Sequence, residues 1–113
     1  MILIVEDEFL ISLAITEELE EHGCKVTSAF NAEEAIGILE SRSDIEVVLT
    51  DIDMPGSMDG LKLAAAIRDR WPPIQVIVTS GKISPAALPE RVSFLAKPYT
   101  LSDVVRKVEQ YCD

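Results

Sequence analysis

Cysteine, histidine, aromatic and basic residues are all scarce in this 113-residue chain, and each shortage closes off a class of function. The two cysteines, Cys24 and Cys112, form no CxxC pair, and with a single histidine, His22, they offer no zinc-site spacing. They are not needed as a staple either, because a chain of this length can bury roughly two-thirds of its unfolded surface in one core. Ten basic residues against 20 acidic ones leave a formal charge of −10. That balance repels nucleic-acid phosphates and anionic membrane surfaces, so neither direct nucleic-acid binding nor membrane association is expected. No apolar run approaches the roughly 20 residues of a membrane span. The opening MILIVEDE turns acidic before a signal-peptide pattern can form, so the expectation is a cytoplasmic protein. Repeats, linkers and low-complexity tracts are also missing, and residues 1–113 are expected to form one domain.

What the chain does have is alternation. Short apolar runs rich in β-branched residues lie at Ile2 to Val5, Lys25 to Phe30, Glu46 to Thr50, Ile74 to Thr79 and Val92 to Ala96. Helical spacing takes over between them, in stripes at Ile11, Ala14, Ile15 and Leu19, at Ala32, Ala35, Ile36 and Leu39, at Leu61, Ala64, Ala65 and Arg68, and at Leu101, Val104, Val105 and Val108. Asn31, Asp59 and Thr100 stand where helix caps belong, while Gly23 and Pro72-Pro73 are stop signals. Near-continuous apolar strands such as EVVLT and IQVIV predict an α/β fold with a five-stranded parallel sheet covered by helices on both faces. Pro85 and Pro89 fall between the fourth and fifth strands, so the fourth helix, from Ser84 to Arg91, should be short or irregular.

In an open parallel sheet, ligands bind at the carboxyl ends of the strands. The first strand runs into Glu6, Asp7 and Glu8, the third into Asp51 and Asp53, the fourth into Thr79 and Ser80, and the fifth into Lys97-Pro98. An acid after a strand is often only a helix cap, a lysine before proline is usually surface decoration, and Thr79 alone is an ordinary strand residue. Their convergence on one edge is what carries information. Carboxylates packed this closely repel one another unless a cation sits among them, and oxygen-only ligands select a hard ion such as Mg²⁺.

These motifs identify a family. With Glu6-Asp7 after the first strand, VVLTD at Asp51, Met54-Pro55 with Asp59-Gly60, IVTSG at Thr79 and FLAKP at Lys97, the chain resembles over its whole length the receiver domain of two-component response regulators, of the chemotaxis-regulator type. The resemblance, not the spacing, implies the flavodoxin-like strand order 2-1-3-4-5 and a cis Lys97–Pro98 bond. It also implies a role for each site residue. Asp51 is the phosphoacceptor, and Asp7, Asp51 and the main-chain carbonyl of Asp53 are ligands of Mg²⁺, with Glu6 acting through a water. Thr79 bonds a phosphoryl oxygen, Lys97 neutralises another, and Phe94 holds the aromatic switch position.

The expected function is a phosphoacceptor switch that catalyses only its own phosphorylation and dephosphorylation. The expected partners are a sensor histidine kinase or histidine phosphotransfer protein and an unidentified downstream protein. Two other readings stay open. Asp51-Ile-Asp53 also fits the DxD motif of haloacid-dehalogenase-type phosphatases, although Met54-Pro55 departs from that motif's usual continuation. A receiver-like interaction module that never takes phosphate would fit the irregular fourth helix. Relative to the family, PGSMDG carries one extra residue and the stretch from Thr79 to Lys97 is short.

Overall fold

The β-branched runs become five strands: β1 (Ile2–Val5), β2 (Val26–Ala29), β3 (Val47–Asp51), β4 (Gln75–Ser80) and β5 (Val92–Ala96). The computed structural model describes residues 1–54, 56, 58–82 and 88–111. All neighbouring strands are parallel, in the order β2-β1-β3-β4-β5. Among the described residues, four helices flank the sheet: α1 (Phe9–Glu21), α2 (Ala32–Ser41), α3 (Gly60–Arg70) and α4 (Leu101–Glu109). Among the described residues, no helix is long and apolar enough to cross a membrane.

Alternation along the strands divides the core into two layers. Leu3, Val5, Val48, Val76 and Val78 pack with Ala35 and Leu39 of α2 and with Leu63, Ala64 and Ile67 of α3. On the other face, Ile2, Ile4, Val47, Leu49 and Ile77 pack with Ile15 and Leu19 of α1 and with Val104, Val105 and Val108 of α4. β1, β3 and most of β4 are buried on both sides, which is why their sequences read as unbroken apolar runs.

The helix starts follow the cap signals. Asn31 accepts the N–H of Glu34 at 2.8 Å, and Asp59 accepts that of Lys62 at 2.9 Å. At α4 the bonding is reciprocal: the Thr100 hydroxyl accepts from Asp103 N–H at 3.1 Å, while Asp103 accepts from Thr100 N–H at 2.9 Å. This capping box sits just after the functional loop, and Thr100→Ala should cost about 1 kcal/mol, read as a lower urea midpoint. Gly23, at φ +87°, takes the left-handed conformation that ends α1.

One expectation needs adjustment. The stripe in α3 is displaced, because the residues it buries are Gly60, Leu63, Ala64 and Ile67, whereas Leu61, Ala65 and Arg68 are only half-buried. In so alanine-rich a helix the few large side chains decide which face turns inward. Between β4 and β5, the described residues 81, 82 and 88–91 form no helix. Ile83 to Ala87, which include Pro85, lie outside the described residues, as do Pro55 and Ser57 of the PGSMDG loop.

Candidate functional site

The parallel register sets the strand ends side by side. Val5 pairs with Thr50, Asp51 with Thr79, Thr79 with Leu95, and Ser80 with Ala96. Residues that follow these strands therefore share one edge although they are far apart in sequence. Glu6, Asp7 and Asp51 gather there, each offering a carboxylate oxygen within 4.8 Å of the others. Among the described residues this is the one such acidic group.

Asp51 is buried, with 6% of its surface exposed, and both its oxygens are engaged. Oδ1 accepts the backbone N–H of Asp53 at 3.0 Å, and Oδ2 meets the Lys97 ammonium at 2.8 Å. Lys97 is itself held at the sheet edge, because its backbone N–H donates to the Ser80 carbonyl at 3.1 Å. The Lys97–Pro98 bond is cis. Below Asp51 the backbone is pinned from two sides: Ile52 N–H donates to the Thr79 carbonyl and Gly60 N–H to the Ile52 carbonyl, each at 3.0 Å. Gly60 lies so close that a Cβ added there would run into the Asp51 carbonyl oxygen and come within 2.7 Å of Ile52 Cα.

The electrostatics follow from this crowding. Burial raises the Glu6 carboxyl from 4.5 to about 7, the Glu8 N–H bond opposes the rise, and the charges of Asp51 and Asp7 add to it. Burial pulls the Lys97 ammonium down, but its hydrogen bond and charge contact with Asp51 outweigh that and leave it above the usual lysine value. Burial, then the charge of Glu6, pushes the Tyr99 phenol up. Three carboxylates facing one ammonium, with no imidazole or thiolate, form a donor set suited to a hard divalent cation.

Glu6 gives this site a pH signature. Its folded pKa lies above its unfolded value, so the native state holds the proton more tightly, and stability falls as pH rises from about 4.5 through about 7. In chelator, the wild-type urea midpoint should drop over that window, and Glu6→Gln should flatten the drop. A Mg²⁺-dependent rise in the midpoint should be largest above pH 7, where Glu6 is charged.

Sequence comparison decides what this edge belongs to. The sequence model of the response regulator receiver domain matches residues 2–109. The chain belongs to that family. Among its relatives, the transcriptional regulatory protein PdtaR of Mycobacterium tuberculosis is 31% identical over 115 residues, covering 96% of this chain and 54% of PdtaR. The DNA-binding transcriptional regulator NtrC of Salmonella typhimurium is 32% identical, over 95% of this chain and 24% of NtrC. The crystal structure of the NtrX receiver domain from Brucella abortus superposes with a TM-score of 0.87 at 27% identity, covering 98% of this chain and 97% of that one. This receiver domain thus spans about half or less of the length of the full-length relatives named here.

Of the expected site residues, Glu6, Asp7, Asp51 and Lys97 come together directly. Asp53 joins through its backbone, and its side chain is exposed. Thr79 is buried beside Asp51 at the end of β4. Phe94 is half-buried, pairs with Val78, and packs with the α2 and α3 layer, on the opposite face of the sheet from Leu49 and Ile77. Two contributors were given no role in the site from sequence. Tyr99 follows Lys97-Pro98 directly, and an aromatic at that place was the available signal. Gly60 read as a helix start and as part of the Asp59-Gly60 motif, but not as a close contact, because nothing in a sequence shows which backbone will approach it.

Proposed function

We propose that this receiver domain is a phosphorylation switch whose acceptor is Asp51. The observation that carries the reading is the 2.8 Å pair of Asp51 with Lys97 beside the carboxylates of Glu6 and Asp7. It couples a nucleophilic oxygen to a fixed positive charge, at a place where further cationic charge is favoured. Asp7, Asp51 and the main-chain carbonyl of Asp53 would hold Mg²⁺, with Glu6 acting through a water. Bound there, the ion supplies positive charge to the phosphoryl oxygens.

In the transfer, an oxygen of Asp51 attacks phosphorus as the bond to the donor breaks, and the Lys97 ammonium balances charge on the moving group. The donor is a phosphohistidine on a sensor kinase or phosphotransfer protein, or a small acyl phosphate. The resulting acyl phosphate is labile, so attack by water later resets Asp51. Thr79 lies opposite Asp51 in the sheet, and its hydroxyl bonds the new phosphoryl group. That pull, relayed to β5 and Phe94, alters the affinity for an unidentified downstream protein. The reading treats residues 1–113 as a single receiver unit working in the cytoplasm, with no direct nucleic-acid or membrane partner.

Incubation with Mg²⁺ and acetyl phosphate, followed by intact-mass measurement, tests the reading. One phosphoryl group should be gained. Phosphate released without mass gain would indicate a phosphatase, and no change at all would indicate a module that works without phosphate.

A further inference from the structure

β2 is the outermost strand of the sheet and pairs on one side only, with β1. Lys25 and Ala29 turn their carbonyls to β1, where they accept from Ile2 and Glu6 N–H at 2.8 and 3.1 Å, so the alternation of a strand points the main-chain groups of Val26 and Ser28 away from the sheet. Phe30, next in that phase, already has its N–H capped by Glu34 at 3.0 Å. Among the described residues, no strand lies beyond this edge. Beside it, on the α1 face, is a cleft of about 200 Å³ lined by Phe9, Ser12, Leu13 and Thr16 of α1 and by Ser28 and Phe30. Phe9, Leu13 and Phe30 are three of the five large apolar side chains exposed among the described residues, and their meeting in one cleft sets this surface apart from scattered exposure. Ile11, which shares a surface with Lys97 and Tyr99, stands two positions from both Phe9 and Leu13 and so faces the other way round the helix. The charge here has one sign. Residues 1–41 hold ten acids and a single lysine or arginine, Lys25, and Glu8, Glu17, Glu20 and Glu34 are exposed on the segments that frame the cleft.

We propose that the outer edge of β2 is a docking site for an extended, basic segment of a partner protein, which adds a strand to the sheet and places an apolar side chain in the cleft. The main chain of the segment bonds the outward groups of Val26 and Ser28, as strand addition requires. Alternation then puts every second side chain of the segment on the face that carries Ser28 and Phe30, between Phe9, Leu13 and Phe30. Lysines or arginines at the ends of the segment meet the surrounding glutamates, which steers it to this edge and not to a neutral one. The same charge argues against a second copy of this chain as the occupant, because two copies would bring like-charged edges together in molecules of net charge −10. The docking site does not depend on Asp51 as phosphoacceptor, since β1 stands between β2 and the strand that carries Asp51.

The probe is a fluorescently labelled peptide, KKVTFTVKK, titrated with the full chain and followed by anisotropy. It should bind saturably, and more weakly as salt is added, whereas EEVTFTVEE should not bind. N-methylation at alternate residues gives two further peptides. The one whose methyls point at β2 should lose binding, and the one whose methyls point to solvent should keep it. In the protein, Leu13→Gln makes the cleft polar, and Ser28→Pro removes an outward N–H while sparing the bonds to β1. Each should weaken KKVTFTVKK about tenfold, equivalent to ~1.4 kcal/mol. Urea midpoints establish that the variants are folded, and should Ser28→Pro fail to fold, Leu13→Gln and the methylated pair still decide. Absence of saturable binding, equal binding of the acidic peptide, the same behaviour of both methylated peptides, or indifference to the protein variants would each overturn the proposal. A concentration-dependent dimer that Leu13→Gln dissolves would also overturn it, by giving this edge to a second copy.

Discussion

Treated with Mg²⁺ and acetyl phosphate, the Asp51→Asn chain should gain no phosphoryl mass under conditions where the wild type gains one group. The amide has nearly the same shape, so it can still accept the Asp53 N–H and still face Lys97. It lacks the charged oxygen proposed to attack phosphorus, and it removes one of the three carboxylates that make the edge attractive to a cation. The fold should survive, because the change relieves repulsion with Glu6 and Asp7 instead of leaving a charge buried alone. A circular dichroism spectrum like that of the wild type, together with a lost mass gain, is the expected pair of results. Undiminished mass gain would move the acceptor to another acid.

The second large effect concerns two glycines that look alike in sequence. Gly60→Ala should destabilise the chain by about 3 kcal/mol, because the added methyl meets the Asp51 carbonyl and Ile52 Cα, which are backbone atoms that cannot swing aside. Gly37 lies exposed in the interior of α2 with open space around its missing Cβ. There the same substitution should stabilise by about 0.5–1 kcal/mol, since alanine suits a helix interior better. Urea midpoints measured on both variants give the comparison. Equal effects would mean that the approach of α3 to the acceptor backbone is not tight. Gly60→Ala should also slow phosphate uptake, because any relief of the clash shifts the chain segment that carries Asp51.

The legible parts of this molecule are the local ones. Strand positions could be read because fully buried parallel strands need apolar, β-branched residues at every position, as in Val47 to Thr50. The caps at Asn31, Asp59 and Thr100 could be read because a cap is a contact over three residues. Knowing that ligands collect at strand ends was enough to shortlist Glu6, Asp7, Asp51 and Lys97. Strand order was different: nothing in the residues themselves ranks β2 beside β1, and that order came with the family resemblance. The displaced stripe of α3 and the tight seat of Gly60 depend on what lies opposite, which is a property of the assembled layers. The exposed side chains of Phe9, Leu10 and Leu13 on α1 break the rule that apolar residues turn inward, and all three lie off the stripe of Ile11, Ala14, Ile15 and Leu19 that the spacing marks as the inward face.

The direction in which α3 runs has a practical consequence. The helix starts against Asp51 and Ile52, and its 11 residues carry the chain about 16 Å toward the opposite end of the sheet. There Trp71, the only tryptophan in the sequence, lies under the Arg70 guanidinium at 4.3 Å, and the Glu40 carboxylate holds Arg70 at 2.7 Å. The single indole fluorophore is thus bound to the folding of α2 and α3 and remote from the acceptor chemistry. Its emission should serve as an internal gauge of denaturation, with the same folded baseline before and after treatment with acetyl phosphate.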